Sequence, residues 1–238
     1  MKILILVIYS NTEAYNQMLE IQRRYIHTNN NFDVYFVTFD NNQIEEIILI
    51  DDIIYVKGEE SLINILYKTI QGFNYLIKIL NYKYDYVVRS NISTLINLNN
   101  LYKFLDLSPR NLFYSGGRLE NMSWPLDKTE ICKSKQHMRY DFYKTQFIQG
   151  TCIILSIDIV NFFISNQHLI EYDIVDDVKI GLLIKEYFPD VYNNLNIVQK
   201  AYMTYNNFDP NCIFIRNKSE NRIFDTNLMA LFVDILLN

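Results

Sequence analysis

The chain has 238 residues, half of them apolar and 21% charged, which is enough to bury the core of one domain and too apolar for general disorder. Its formal net charge of −5 gives no electrostatic reason to bind nucleic acid, where affinity rests on neutralising phosphates. Aromatic residues are plentiful and glycine and proline scarce, as expected of an ordered α/β core with few flexible linkers. The wealth of Asn, Ile, Lys and Tyr points to an AT-rich genome, viral or protist, a codon-level trait that carries no chemistry.

Residues 2–9 form a nearly continuous apolar run, the pattern of a strand covered on both faces. The run is too short to span a membrane and lacks a small-residue cleavage site, so a strand is expected rather than an anchor or signal peptide. Ser10-Asn11-Thr12 follows and offers capping side chains to a helix whose apolar positions Ala14, Met18, Ile21 and Tyr25 recur at helical spacing. A strand over 33–39 closes a βαβ unit, and another is expected over 52–56. Leu62, Leu66, Phe73 and Ile77 predict a long amphipathic helix over 60–80, followed by a strand over 84–89. Strand and helix thus alternate through the first hundred residues, which implies a mostly parallel, nucleotide-binding-type sheet.

In the second half a strand over 111–114 is expected to end at Ser115-Gly116-Gly117. Residues 118–145 are polar and aperiodic and carry Trp124 beside Pro125; a loop of that length in a compact domain is usually functional or disordered. A strand over 147–155 leads into a helix from Ser156 to Phe163. Asp176-Asp177 precedes a helix over 178–187, and an apolar helix over 224–237 closes the chain. No repeat or linker interrupts it, so a single domain over 1–238 is expected. Cys132, Cys152 and Cys212 form no Cys-x-x-Cys pair and are read as buried, reduced thiols. His27, His137 and His168 share no ligand spacing. Dinucleotide, NTPase and hydrolase glycine motifs are missing.

Three blocks carry more. Tyr84-Asp85-Tyr86-Val87-Val88-Arg89-Ser90-Asn91-Ile92-Ser93 reads as a buried strand that stops at a polar turn, where open α/β sheets rest a ligand. Phe147-Ile148-Gln149-Gly150-Thr151-Cys152-Ile153-Ile154-Leu155-Ser156 is the second block, and Asp176-Asp177-Val178-Lys179-Ile180-Gly181 the third. In matching order they resemble the "YDYvlrxDDDxxxnL", "yxxGxgyvlS" and "E/D-D-V-x-x-G" segments of the fringe and β1,3-galactosyltransferase-like glycosyltransferases.

That resemblance implies a GT-A-like fold, with residues 1–100 as the nucleotide-sugar half and 101–238 as the acceptor half plus C-terminal helix. It implies inverting transfer of a sugar from a nucleotide-diphosphate donor, with a UDP-sugar favoured, to a glycan or protein-linked acceptor. Asp177, with Asp176 as the alternative, would take the proton of the acceptor hydroxyl, because an alcohol is a poor nucleophile until a base accepts that proton. A helix N-terminus should stabilise the carboxylate and lower its pKa. The plainer reading is that both acids only cap the helix.

The chain departs from the family at the metal. Asn91, Ile92 and Ser93 stand where the family has metal-binding aspartates, and Ile213-Phe214-Ile215-Arg216-Asn217-Lys218 resembles its "vHyRxK" with Phe214 at the histidine position. Asn and Ser lack the anionic oxygens that Mg²⁺ or Mn²⁺ favours, so no metal and no other cofactor is expected. Arg89, Arg216, Lys218 and Arg222 would neutralise the departing diphosphate instead. Ser10, Asn11, Thr12, Lys68, Ser90, Asn91 and Ser93 complete the expected donor site, and Gly116, Gly117, Trp124 and Gly150 the acceptor side. Each has a plainer role open to it: capping for Ser10–Thr12, a solvated surface for the cations, an ordinary turn for Gly116-Gly117, a core anchor for Trp124. Asn91-Ile92-Ser93 is also a glycosylation sequon inside the expected site, which points to the cytoplasm, the host's if the protein is viral. Two alternatives stay open, a non-catalytic sugar- or nucleotide-binding descendant and a retaining transferase. A binding module would have no need of the Asp176-Asp177 pair.

Overall fold

The computed structural model describes residues 1–122, 145–197, 209, 211–216 and 218–238. The elements run β1 (Ile3–Ile8), α1 (Glu13–Ile26), β2 (Phe32–Asp40), β3 (Ile47–Ile50), β4 (Ile53–Lys57), α2 (Ile65–Asn74, continued by a π-helical turn Tyr75–Ile79), β5 (Tyr86–Asn91), β6 (Thr94–Ile96) and α3 (Leu98–Asp106). They continue with β7 (Tyr114–Gly116), β8 (Leu119–Asn121), β9 (Gln146–Ile148), β10 (Cys152–Ser156), α4 (Ile157–Ser165), α5 (Asp176–Tyr187), α6 (Pro189–Asn193), β11 (Asn196–Ile197), β12 (Phe214–Arg216) and α7 (Arg222–Leu237).

Among the described residues eight strands form one sheet in the order β11-β7-β10-β5-β1-β2-β4-β3. Its centre, β5-β1-β2-β4, is parallel. β10 runs antiparallel to both its neighbours, and β3 is an antiparallel edge. This is the mostly parallel α/β sheet flanked by helices that the strand–helix alternation implied.

The side-chain period of two explains why β1 is buried throughout. Ile3, Ile5 and Val7 pack under α1, α3 and α7, with Met18, Leu101 and Phe232 at the centre of that layer. Leu4, Leu6 and Ile8 face the other layer, made by α2, α4 and α5 with Leu66, Phe73, Val160 and Ile184. The C-terminal helix therefore packs beside α1 in the layer that covers the N-terminal strands.

Several expected boundaries move. The single strand over 147–155 is two strands in different sheets. β9 pairs with β8 and β10 lies in the main sheet, with Gln149–Thr151 turning between them. The helix expected over 60–80 begins only at Ile65, and Leu62 is exposed rather than on its buried face. Gly116 belongs to β7, where an added Cβ would lie 2.3 Å from the Cys152 carbonyl oxygen. Thr12 stands at the N-cap of α1, yet no side chain there caps the helix; the Asn11 Oδ1 instead accepts from Asn16. Cys152 and Cys212 are buried. Trp124, Cys132 and His137 lie outside the described residues.

Strand register assembles the crevice. Parallel pairing sets Ile8 opposite Asn91, so β1 and β5 end together. Antiparallel pairing sets Cys152 opposite Ser90, which brings the Gln149–Thr151 turn beside the end of β5. β12 pairs with β6, Arg216 opposite Thr94, and so delivers a C-terminal residue to the same place.

Candidate active site

A cavity of about 420 Å³ opens at this edge, within the size range of small-molecule sites. Ser10, Arg89, Asn91, Ser93, Gly150, Asp176, Asp177, Arg216 and Lys218 all line it. Residues from the first strand's end, the polar turn, the glycine turn, the acidic helix start and the C-terminal basic segment thus converge. Asn91 and Asp177 share one cavity. A larger hollow of about 850 Å³ lies at the amino ends of β1 and β2, but its charges pair with one another, Lys2 with Asp33 at 2.7 Å and Arg23 with Asp52 at 2.5 Å.

Arg89, two residues on from Val87, shares its face of β5 and so points to the α2/α5 layer. It is 2% exposed, and its Nη2 lies 2.6 Å from Asp176 Oδ2, an acid itself almost fully buried. Its Nη1 donates to Asn91 Oδ1 at 2.9 Å and to the Gly150 carbonyl. The charge expected to meet a leaving diphosphate is therefore already matched by Asp176. Removing either member of such a buried pair typically costs about 3–5 kcal/mol, because the other is left charged and unsolvated.

Asp177 differs from its neighbour. It is half-buried, its Oδ2 accepts from the Gly150 N–H at 2.8 Å, and its Oδ1 accepts from the Val178 N–H at 2.9 Å. Burial, and then the adjacent Asp176 charge, push its pKa up from 3.8 to about 6; the two N–H groups and Arg89 oppose that shift without cancelling it. The helix N-terminus was expected to lower this pKa, and desolvation outweighs it.

Arg216 Nη1 donates to Thr151 Oγ1 at 2.5 Å. Lys218 is exposed, and its pKa is lowered by partial loss of solvent and then by the cations of Arg216 and Arg222. Neighbouring cations that repel one another form a place where an anion is welcome.

Other expected residues lie elsewhere. Lys68 is fully buried; its Nζ donates to the Tyr9 carbonyl at 2.9 Å and to both oxygens of Glu60 at 2.6 and 2.8 Å. Arg222 pairs with Asp225 at 3.2 Å and stands over the Tyr15 ring at 5.5 Å. Ser90 is buried and donates to the Thr151 carbonyl. Asn11 and Thr12 are exposed outside the lining, and Gly116 and Gly117 are buried against β10. Tyr15, Leu62, Gln149 and Val175 line the cavity without having been expected there. Gln149 had a signal, standing beside Gly150 in the second block. Tyr15 had none, because helical spacing does not say which exposed position of α1 overlooks the crevice.

Gly181 explains the spacing of the third block. A Cβ there would come within 2.6 Å of Phe147 Cβ and 2.9 Å of the Gln146 carbonyl oxygen. Only glycine lets α5 lie this close to β9, and that closeness sets its acidic N-terminus against the Gly150 turn.

A family model described as Galactosyltransferase matches residues 37–194, about two thirds of the chain. The chain belongs to the galactosyltransferase family. No curated protein matches it. Membership makes glycosyl transfer the class of chemistry, with a sugar donor and an acceptor as its partners. The match includes the Arg89–Ser93 turn, Gly150 and the Asp176-Asp177 pair, and stops short of Arg216 and Lys218. At the position that the resemblance assigns to the metal, the chain offers an amide and a buried hydroxyl, and Phe214 is fully buried in the core. Those donors do not fit a hard divalent cation, and the described residues contain no cluster of three or more acidic, His or Cys groups able to hold one. No helix among the described residues is long and apolar enough to cross a membrane.

Proposed function

We propose that the protein is a metal-independent, inverting glycosyltransferase that uses a nucleoside-diphosphate sugar, with UDP as the favoured carrier and a glycan or protein-linked acceptor. The observation that supports this reading is the convergence, in one cavity at the ends of β1 and β5, of a raised-pKa carboxylate with two cations from the C-terminal segment. The acceptor oxygen attacks the anomeric carbon and passes its proton to Asp177. The bond between that carbon and the diphosphate oxygen breaks, and the electron pair leaves with the diphosphate. Arg216 and Lys218 stabilise the charge that develops there, the work a divalent cation does elsewhere. A base with a pKa near 6 is mostly ionised at neutral pH yet retains affinity for a proton, a compromise that suits general-base catalysis. Asp177 takes this role because Asp176 is committed to Arg89. A sequon enclosed in the site accords with a cytoplasmic location.

The test is a panel of UDP-sugars and acceptors assayed with EDTA or Mn²⁺, alongside calorimetry with UDP. UDP should bind equally in both conditions, and Asp177→Asn should cut turnover by about 10²–10⁴-fold while donor affinity holds. Affinity abolished by EDTA and restored by Mn²⁺ would defeat metal independence. An Asp177→Asn enzyme running at the parent rate would defeat the base assignment. A parent protein that binds UDP but neither transfers nor hydrolyses any donor would favour a binding descendant.

A further inference from the structure

The bonds around the glycine turn close into a ring. Asp176 holds Arg89 through Oδ2 and Nη2, Arg89 holds the Gly150 carbonyl through Nη1, and the N–H of Gly150 itself donates to Asp177 Oδ2. Chain continuity between Asp176 and Asp177 completes the circuit. The ring has no slack at the glycine, where an added Cβ would stand 3.1 Å from Arg89 Nη1 and 3.3 Å from Asp177 Oδ2. All three residues line the cavity, but Arg89 and Asp176 are almost fully buried whereas Asp177 is half-buried.

We infer that Arg89 and Asp176 are positioning residues that aim the Asp177 carboxylate through the Gly150 backbone, and that Arg89 is not a ligand for the donor diphosphate. This rests on the assignment of Asp177 as the base. A carboxylate on a helix start can swing about its side-chain torsions. Here one oxygen is pinned by the next residue's N–H and the other by an amide that a buried guanidinium holds from behind. Each oxygen keeps a lone pair for the acceptor proton. The price of orientation is a buried ion pair, retained for geometry rather than stability.

The groups facing Asp177 make the arrangement testable. Asp176 adjoins it on α5, Arg89 approaches from β5, the Tyr114 hydroxyl lies nearby on β7 with a pKa raised by burial, and Arg216 and Lys218 line the same cavity. Asp176→Asn removes the anion that favours a proton on Asp177 and leaves Arg89 uncompensated, so both effects ease ionisation of Asp177. Arg89→Gln removes the cation and does the reverse. The double variant removes both charges and should return toward the parent.

The experiment is a carbon-detected NMR titration of the Asp177 carboxyl in the full chain, following the Gly150 amide proton in the same samples. In the parent the two signals should share a midpoint near 6. The midpoint should fall in Asp176→Asn, rise in Arg89→Gln and recover in the double variant, and the Gly150 amide should cease to follow Asp177 once Arg89 is gone. Hydrolysis of UDP-galactose, read in parallel, should slow about 10–100-fold in either single variant with KM unchanged, as expected of a misplaced base. If Arg89→Gln fails to fold, the near-isosteric Asp176→Asn decides alone. Unchanged midpoints, or a rise in KM as the main effect, would overturn the inference while leaving Asp177 as the base. Asp177→Asn hydrolysing at the parent rate would instead remove the reading on which it rests.

Discussion

Lys68→Met separates a structural lysine from a donor-binding one. The side chain is fully buried, and its ammonium makes a 2.9 Å bond to the Tyr9 carbonyl and a two-oxygen contact with Glu60. Methionine fills nearly the same volume, so the cavity term is small. The loss at Tyr9 is that of a charge-assisted bond to a buried acceptor, about 1.5–3 kcal/mol. The loss at Glu60 is smaller. Its side chain is about a third exposed, so water screens the pair, which then contributes at most about 1 kcal/mol. Glu60 also keeps donors from Thr38 Oγ1 and the Phe39 N–H, both at 3.0 Å. Against these losses stands relief from burying an ammonium, whose pKa desolvation already lowers. The net cost is about 2 kcal/mol, read as a lower urea midpoint at unchanged m-value and a fall in Tm of about 4–8 °C. UDP affinity, measured by calorimetry on the folded variant, should match the parent. Parent-like stability with UDP affinity reduced tenfold would refute this reasoning and return Lys68 to the donor site.

The rate should rise with pH through about 6 and level off above it, since only ionised Asp177 accepts a proton; a flat profile from pH 5 to 8 would contradict the assignment. Stability should carry the opposite sign. Asp177 has a folded pKa above its unfolded value near 3.8, so its contribution is complete below about pH 4 and is lost as pH rises through about 6. The stability of the parent relative to Asp177→Asn should accordingly decline across that interval in urea titrations and be constant outside it. Gly181→Ala should destabilise by about 1–3 kcal/mol, because the new methyl meets Phe147 and the Gln146 carbonyl, and denaturation curves would show it. Arg216→Ala and Lys218→Ala should each weaken UDP about tenfold or more and leave uridine binding alone, a contrast calorimetry resolves. Equal losses for both ligands would place these cations away from the diphosphate.

Much of the fold was legible because its signals are local. The run over Ile3–Ile8 predicts a two-faced buried strand, and the structure packs alternate residues into separate helical layers. Asp176-Asp177 at a helix start needs only helical geometry to be recognised, whereas the close approach at Gly181 shows only in the structure. The split at Gln149–Thr151 was not legible, since an apolar run interrupted by Gln149-Gly150-Thr151 reads the same whether the chain continues or changes sheets. Leu62 fits the helical period of α2 yet precedes that helix, because periodicity does not mark where the first turn begins.

The sequence by itself determined which chemistries were present: an acid pair at a helix start, a polar turn without carboxylates and a basic C-terminal segment. It also determined the order of strands and helices, through periods set by backbone geometry. Only the tertiary structure decided what each charge does. Arg89, Lys68 and Arg222 look alike as letters, but Arg89 is locked to Asp176, Lys68 to Glu60 and Arg222 to Asp225, while Arg216 and Lys218 line the cavity. The two aspartates are adjacent and chemically identical, yet burial against Arg89 commits one while desolvation beside Gly150 raises the pKa of the other. Coulomb energy, solvent exposure and hydrogen-bond supply depend on distances between residues far apart in the chain. Those distances exist only once strand register has been fixed.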